Sequence, residues 1–417
     1  MDTVIVGAGH AGLATSQRLT ERGIEHVVLE RGRIGQSWRT QRWDSFTLNT
    51  PSWMNQLPGD GESDLDEPLD GFATHQDLVG RLERYAWRWD LPVREETEVE
   101  RVERIGDRRY RVHLAHDAGP PIECGSVVVA SGCQNVANLP PISAAIPSSV
   151  HQRAAIEFRN AAGLPPGAVI VVGGGQSGGQ IVEDLLHAGR EVYWSVSAVT
   201  RIPRRYRGRD ILEWLVDAGF YEATPETVSD PAELTATMPI ISGVGRYGHT
   251  LSLQWLAARG ATLIGRMTRV DGTTLTLDDS VEACVRFGDE RSASVREMLD
   301  EGIERAGLPL PPSEPDEADE PFAGYGTLES PATLDLAKAG VSAIIWATGV
   351  TGDFGYLPDG ATENGRPKHE RGATPADGID VIGLPWLTRR SSGIIYGING
   401  DAEMVGERIE GRVRSAT

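Results

Sequence analysis

Short runs of apolar residues, each ending at glycine, recur along the chain and predict buried β-strands. The runs that begin at Thr3 and at Ala168 lead into a glycine-rich turn and then into a stretch with apolar residues at helical spacing. Strands that are apolar on both faces are typical of parallel sheets covered by helices. Two further runs, 126–132 and 343–349, end in small residues that let a neighbouring chain or ligand approach closely. The pattern predicts an α/β fold.

The first glycine-rich turn has the spacing of a dinucleotide-binding fingerprint, Gly7-x-Gly9-x-x-Gly12. Gly7 permits the tight turn, Gly9 lets the backbone approach a pyrophosphate, and Gly12 lets the helix pack on the strand. A second strand ends at Glu30, 18 residues after Gly12, where a carboxylate accepts hydrogen bonds from a ribose. A glycine-rich turn without a ligand is the alternative. The combination favours a bound dinucleotide, and the ribose acid suits FAD.

The same pattern recurs as Gly173-x-Gly175-x-x-Gly178, again between a strand and a helix. Counting from Gly173 as from the first unit, the position that matches Glu30 is Val196, so no acid is expected there. A carboxylate at this place would repel a 2′-phosphate. The second unit therefore predicts a site for a phosphorylated nicotinamide coenzyme.

An arginine cluster follows the second unit and supports NADPH over NADH. Arg201, Arg204, Arg205, Arg207 and Arg209 fall within nine residues of an otherwise acidic chain. Guanidinium groups fork onto phosphate oxygens, which is the chemistry that a 2′-phosphate requires. A solvated basic loop is the alternative for any single arginine.

These units predict an α/β fold with two Rossmann-like dinucleotide-binding domains, the second inserted into the first. Residues 1–163 and 332–417 are expected to form a discontinuous FAD domain. Residues 164–331 are expected to form the NADPH domain, with a variable segment at 286–331. Within that segment, the proline-rich and acidic stretch 309–321 is expected to be an exposed loop or a mobile segment.

Composition excludes several other classes of protein. With 60 acidic and 40 basic residues, the net charge of -20 disfavours nucleic acid or an anionic membrane as a partner. Three widely spaced cysteines indicate neither a disulfide framework nor a metal site. No signal peptide is recognisable, and no apolar run approaches the roughly 20 residues that span a bilayer. A cytoplasmic location is expected.

Several motifs together resemble the class B flavin-containing monooxygenases, most closely a bacterial branch often labelled as flavoproteins of potassium transport. They are GAGHAG, IGQSW, LNTPSWM, GGGQSG, IIWATG and GLPWLTRRSSGIIYGINGDAE, spread over nearly the whole chain. The resemblance implies that the segment 35–54 wraps the isoalloxazine ring, with Gly35, Ser37 and Trp38 beside it. It also implies that Asn49 is the catalytic asparagine, whose amide can donate a hydrogen bond without titrating. An Asx turn before Pro51 is the alternative role for Asn49.

The resemblance further implies which residues contact the two cofactors, FAD and NADPH. A helix beginning near Asn399 and Asp401 is expected to point at the flavin pyrimidine, although both residues could also be simple N-caps. The expected contacts are Gly7, Gly9, His10, Ala11, Gly12, Glu30, Arg31, Ser37, Trp38, Val99, Gly132, Gly173, Gly175, Gln176, Ser177, Gly178, Ser197, Arg201, Arg204, Arg205, Ala347, Thr348, Gly349, Asn399 and Asp401.

The implied activity is a flavin-dependent monooxygenase that uses NADPH and O2. A C4a-hydroperoxyflavin would oxygenate a nitrogen or sulfur of a small-molecule substrate. Two alternatives stay open: a flavin reductase or oxidase without oxygen insertion, and Baeyer-Villiger oxygenation of a ketone. The second is weakened because only His151 remains of the expected linker motif, and an aromatic residue expected after IIWATG is Val350. A homodimer is allowed, and no metal is expected.

Overall fold

The computed structural model describes residues 1–116, 118–236, 238–243, 245, 248–321, 328 and 330–416. Residues 322–327 and 329 of the predicted variable segment lie outside this description. The helices are α1 (His10–Glu21), α2 (Gln36–Thr40), α3 (His75–Arg88), α4 (Gln176–His187), α5 (Ile211–Asp217), α6 (Leu253–Ala258), α7 (Val281–Arg305) and α8 (Ile398–Ala416). The strands are β1 (Thr3–Val6), β2 (His26–Leu29), β3 (Val93–Arg94), β4 (Val99–Gly106), β5 (Arg109–Leu114), β6 (Ile122–Cys124), β7 (Ser126–Val129), β8 (Val136–Ala137), β9 (His151–Ala154), β10 (Ala168–Val172), β11 (Val192–Ser195), β12 (Arg205–Tyr206), β13 (Arg209–Asp210), β14 (Ala261–Ile264), β15 (Met267–Asp271), β16 (Thr274–Leu277), β17 (Thr333–Asp335), β18 (Val341–Trp346), β19 (Val350–Thr351), β20 (Thr362–Glu363), β21 (Arg366–Pro367) and β22 (Ile379–Val381).

Two five-stranded parallel sheets organise the described chain. The first has the order β22-β7-β1-β2-β3 and the second the order β14-β11-β10-β18-β9. Strands β1, β2 and β7 are buried along their whole length, as expected for a parallel sheet with helices on its faces. The predicted α/β fold with two Rossmann-like units is confirmed.

The sheet memberships differ from the predicted boundaries at 163 and 332. Strand β9 pairs with β18, and β18 pairs with β10, all in parallel, so both strands belong to the second sheet. An apolar strand pattern indicates a buried strand but not the sheet that receives it. The second sheet therefore takes strands from both predicted parts of the FAD domain.

The chain crosses between the two sheets at two neighbouring places. After β7, residues 136–137 form β8, and after β18, residues 350–351 form β19, which pairs antiparallel with β8. Thr348 Oγ1 donates to the carbonyl of Asn138 at 2.6 Å, and the backbone N–H of Asn138 donates to the carbonyl of Gly349 at 3.0 Å. This joint follows the carboxyl ends of β7 and β18, one strand of each sheet.

Candidate active site

The two glycine-rich turns have matching backbone geometry. Gly9 precedes α1 and Gly175 precedes α4, and both have φ -83° and ψ -175°. Gly7 and Gly173, the first glycines of the two turns, have φ of +106° and +123°. L-residues rarely adopt these values, so glycine is required at both places.

Close packing explains why positions 7 and 12 of the first turn are glycines, whereas position 9 faces open space. A Cβ on Gly7 would lie 2.5 Å from the carbonyl oxygen of Ala130, and one on Gly12 would lie 1.9 Å from that of Gly7. A Cβ on Gly9 would meet no atom of a described residue within 4 Å. The protein itself therefore does not require glycine at 9, whereas a cofactor lying over this turn would.

The second unit repeats the packing, with its own small-residue strand end. A Cβ on Gly173 would lie 2.3 Å from the carbonyl oxygen of Ala347, and one on Gly178 would lie 2.0 Å from that of Gly173. The strand ends at 130–132 and 347–349 thus lie against the first and second turns respectively. This places Ala347, Thr348 and Gly349 at the second unit and at the joint between the sheets.

In each unit, a side chain that follows the second strand accepts a hydrogen bond from the backbone N–H of the residue after the first glycine of the turn. In the first unit, the N–H of Ala8 donates to Glu30 Oε2 at 2.8 Å. In the second unit, the N–H of Gly174 donates to Ser197 Oγ at 3.3 Å. Ser197, rather than the counted Val196, therefore occupies the structural position of Glu30. The absence of an acid there agrees with the sequence analysis.

The segment 35–54 begins directly against the first turn. Gly35 has a left-handed φ of 70°, and its N–H donates to the carbonyl of Ala8 at 3.0 Å. Trp38 on α2 lies 6.1 Å from the ring of Phe46, and the buried Trp43 contacts the same ring edge-on at 5.0 Å. Trp43 is part of the core, while Trp38 is half-buried beside the turn.

Asn49 lies in the same segment and is held by two residues of the second unit. Gln180 on α4 donates from Nε2 to Asn49 Oδ1 at 3.2 Å. Arg204 donates from Nη1 to the backbone carbonyl of Asn49 at 2.7 Å. Because Oδ1 accepts from Gln180, the Nδ2 donor of Asn49 is directed elsewhere. A turn is also present, fixed by the buried Asn55, which donates to the carbonyls of Thr50 and Pro51 at 3.0 and 3.1 Å.

Two of the three arginines expected at the coenzyme are engaged by carboxylates. Arg201 is 3% exposed and pairs with Asp289 at 2.7 Å and with Asp319. Arg204 is 1% exposed and binds Asp210, with Nε donating to Oδ2 at 2.8 Å. A contact between either guanidinium and a 2′-phosphate would require a buried ion pair to break. A phosphate contact of Arg201 or Arg204 stays a prediction, and it would have to replace these buried ion pairs.

Arg205 differs from these two arginines. Its side chain is exposed, and it makes no ion pair with any residue that the structure describes. It begins β12, eight residues after Ser197. Of the three predicted arginines, Arg205 therefore retains a guanidinium that a phosphate can reach.

The start of α8 carries two buried polar atoms without a partner in the described structure. These atoms are Asn399 Oδ1 and Asp401 Oδ2. The other oxygen of Asp401 accepts from Thr388 Oγ1 at 2.6 Å, and burial raises the pKa of Asp401. Unpaired buried polar atoms call for an additional partner.

The remaining predicted contacts are spread over several helices and strands. His10, Ala11, Gln176 and Ser177 occupy the first residues of α1 and α4, and Arg31 is exposed next to Glu30. Ser37 is on α2, Val99 begins β4, and Gly132 follows β7 with φ +81°. His10 Nε2 is buried without a partner among the residues that the structure describes, and burial lowers the pKa of His10 to about 4.

Sequence reasoning missed the residues that hold Asn49, namely Gln180, Arg204 in this role, and Asn55. Gln180 had one local signal, because it follows Gln176 by four residues and so lies on the same face of α4. Its contact with Asn49 spans 131 residues of sequence and has no local signature.

Thiol and metal chemistry receive no support from the described residues. Cys124, Cys133 and Cys284 are free, and burial raises the pKa of each thiol. No described group of His, Cys, Asp or Glu is arranged to hold a metal. None of the helices in the described part of the chain has both the length and the apolar character needed to cross a bilayer.

Comparison with known proteins agrees with this geometry. Residues 4–207 match the family model of the pyridine nucleotide-disulphide oxidoreductases. An uncharacterized CzcO-like oxidoreductase from Geobacillus kaustophilus is 27% identical over 407 residues, which covers 97% of this chain and 96% of that protein.

Two solved structures share the fold over almost the whole chain. A flavin-containing monooxygenase from Stenotrophomonas maltophilia has a TM-score of 0.67 at 16% identity and covers 99% of this chain and 98% of its own. The bacillithiol disulfide reductase Bdr from Staphylococcus aureus has a TM-score of 0.61 at 12% identity, with the same coverage. The chain is therefore an oxidoreductase whose residues 4–207 are similar to the pyridine nucleotide-disulphide oxidoreductases, and its fold is that of the flavin monooxygenases.

Proposed function

We propose that the chain is an FAD-dependent monooxygenase that uses NADPH and O2 to oxygenate a nitrogen or sulfur atom of a small molecule. The observation that carries this proposal is the position of Asn49, which Gln180 and Arg204 hold between two dinucleotide units. A neutral amide at this place can donate to a developing negative charge without titrating.

The first unit fits FAD. The open space before Gly9 accommodates a pyrophosphate at the start of α1, and Glu30 stands where a ribose is bound. The unpaired oxygens of Asn399 and Asp401 offer acceptors for N–H or O–H groups of the cofactor. When bound, the flavin supplies hydride acceptance from NADPH and activation of O2.

The second unit fits NADPH. The start of α4 at Gly175 would hold its pyrophosphate, and Ser197 in place of an acid tolerates a 2′-phosphate. Arg205 would bind that phosphate. The protein would thus orient both cofactors and exclude water from the cleft around Asn49. The division into an FAD domain and an inserted NADPH domain is part of this proposal.

The proposed reaction balances as substrate, O2, NADPH and H⁺ giving the oxygenated substrate, NADP⁺ and water. The test is to supply ¹⁸O2 and NADPH with a panel of amines and thioethers, and to measure product oxygen and released hydrogen peroxide together. We expect one ¹⁸O atom per product molecule for at least one panel member. Recovery of all consumed oxygen as hydrogen peroxide across the panel would instead identify an oxidase.

Asn49→Ala and Asn49→Asp separate the role of the amide from that of the cofactor sites. Both variants should keep FAD and accept hydride from NADPH at a rate close to that of the unmodified protein. Oxygen transfer should fall on the order of 10²-fold, as for loss of one preorganised donor, with a matching rise in hydrogen peroxide. Unchanged coupling in both variants would contradict the role of Asn49.

A flavin reductase or oxidase is the second candidate, because it uses the same two nucleotide sites. A reductase of disulfides is disfavoured, since an attacking thiol needs a lowered pKa and burial raises the pKa of Cys124, Cys133 and Cys284. Baeyer-Villiger oxygenation uses the same cofactors, so ketones belong in the panel as a third arm.

A further inference from the structure

Arg42 carries a cation without a counter-ion on the segment 35–54. Its guanidinium carbon lies 4.5 Å from the ring centroid of Trp38 and 5.4 Å from that of Phe46. Towards described residues it donates through Nη1 to the carbonyl of Gln41 at 2.8 Å. No carboxylate of a described residue lies within ion-pair distance. Most of its five N–H donors are therefore unused.

Neighbouring arginines show that this arrangement is exceptional within the segment. Arg39, three residues earlier, pairs with Glu83. Arg159, a second cation near Arg42, donates through Nη1 to the carbonyls of Arg42 and Ile156 at 3.3 and 3.0 Å. With 60 acidic residues against 40 basic ones, the chain has ample carboxylates to pair with Arg42. None of the described carboxylates is placed there.

The surroundings hold this cation in place without neutralising it. Burial, with a smaller contribution from the charge of Arg159, lowers the pKa of Arg42 to about 10. The group therefore stays protonated at neutral pH. The side chain is half-buried and lies over the rings of Trp38 and Phe46, so the rings hold its charge in place and leave it open to a ligand of opposite charge.

The location of Arg42 distinguishes between the possible anions. The two pyrophosphates already have sites at the starts of α1 and α4, next to Gly9 and Gly175. Arg42 belongs instead to the stretch between Trp38 and Asn49. A planar guanidinium matches the two oxygens of a carboxylate. We propose that Arg42 binds the carboxylate of the substrate, so that the substrate class is a carboxylic acid that carries the oxidisable nitrogen or sulfur.

This inference rests on the proposed function and adds the substrate class. Its test needs no turnover. Acetate, benzoate and phenylacetate are each compared with the uncharged amide of the same shape, at constant ionic strength, on the oxidised flavoprotein as purified. Binding is followed by the change in flavin absorbance and by the thermal midpoint. We expect at least one acid to bind about tenfold more tightly than its amide.

Arg42→Gln should weaken binding of that acid about tenfold and leave binding of the amide unchanged. The ligand-free thermal midpoint of Arg42→Gln should stay close to that of the unmodified protein, because no ion pair is lost. Arg39→Gln is the matched control, since it removes an arginine of the same segment that already has a carboxylate partner. The control should keep the preference for the acid.

Three results would overturn the proposal. Equal binding of acids and amides by the unmodified protein would show that the site does not select a carboxylate. Loss of FAD from Arg42→Gln, or weaker binding of NADP⁺ with unchanged binding of the acid, would assign Arg42 to a cofactor. If Arg42→Gln does not fold, Arg42→Lys must retain a preference for the acid. If the protein binds acids through Arg42 but never transfers oxygen, the carboxylate site is supported and the proposed monooxygenase function is contradicted.

Discussion

The side chain of Gln180 on α4 donates from Nε2 to Oδ1 of Asn49 at 3.2 Å, which joins the second nucleotide unit to the segment that follows the first. The same Nε2 lies 3.2 Å from the carbonyl oxygen of Ser242 and 3.4 Å from that of Gly243. Three acceptors around one end of the amide identify that end as the donor. The orientation of Asn49 therefore depends on a residue two positions beyond the last glycine of the coenzyme fingerprint.

Gln180→Met should disturb oxygen transfer without disturbing the binding of FAD. The variant keeps the volume of the side chain and removes its donor, so Asn49 loses the hydrogen bond that fixes its amide. We expect the fraction of consumed O2 released as hydrogen peroxide to rise about threefold to tenfold, the equivalent of one hydrogen bond. The measurement is the ratio of hydrogen peroxide to NADPH oxidised.

Gln254→Met is the matched control for this variant. Gln254 is also a buried glutamine outside the first sheet, and it donates to Asp289 at 2.8 Å and to the carbonyl of Glu320 at 3.0 Å. It makes no described contact with Asn49. An equal rise in hydrogen peroxide from both variants would show that general loosening, not the orientation of Asn49, causes the effect.

Gly9→Ala and Gly12→Ala should fail in different ways. A Cβ at 9 meets no atom of a described residue within 4 Å, so Gly9→Ala should fold normally while the methyl group blocks the pyrophosphate. A Cβ at 12 would lie 1.9 Å from the carbonyl oxygen of Gly7, so Gly12→Ala must shift α1 or β1 and should unfold at a lower temperature. Flavin content and the thermal midpoint separate the two results. Full flavin content in Gly9→Ala would contradict the proposal that the cofactor binds at this turn.

The outcome shows which features local sequence can predict. The turns at Gly7 and Gly173 were predictable because strand, turn and helix follow one another within about 20 residues, and their backbone demands glycine. The burial of Arg201 was not predictable, because its partner Asp319 is 118 residues away. Strand β18 was recognised as apolar, but its sheet is decided by pairing with β10 and β9. Counting along the sequence matched Glu30 to Val196, one residue before Ser197. Only the backbone geometry shows which of the two residues occupies the position of Glu30.

Arg204 and Arg205 are adjacent in sequence, but their replacement should affect different properties: stability for Arg204 and coenzyme binding for Arg205. Arg204→Ala leaves the buried carboxylate of Asp210 without its partner, so we expect the free energy of unfolding to fall by about 3–5 kcal/mol. Arg205→Ala removes an exposed guanidinium and should leave stability unchanged while raising KM for NADPH about tenfold. KM for NADH should change little, because NADH has no 2′-phosphate.

Steady-state kinetics with both coenzymes, together with denaturant unfolding, check this pair of predictions. An equal change in KM for NADPH and NADH in Arg205→Ala would show that Arg205 does not recognise the 2′-phosphate. Stability close to that of the unmodified protein in Arg204→Ala would contradict the buried pair with Asp210.

His10 should make the stability of the protein depend on pH in mildly acidic solution. Burial lowers the pKa of His10 to about 4 in the folded state, below its ordinary value of 6.5. Between these values the unfolded chain binds the proton and the folded protein does not, so stability falls as pH decreases from 6.5 towards 4. The loss should reach about 3 kcal/mol, from roughly 2.5 pKa units at 1.36 kcal/mol each.

His10→Gln is the informative replacement, because the second unit has Gln176 at the matching place and forms the same helix start. Between pH 6.5 and 4, the stability of the variant should fall less than that of the unmodified protein. Above pH 7.5, the difference in stability between the two proteins should not change with pH. Denaturant unfolding of both proteins across this range provides the measurement. Parallel curves at all pH values would show that His10 is not the group that titrates.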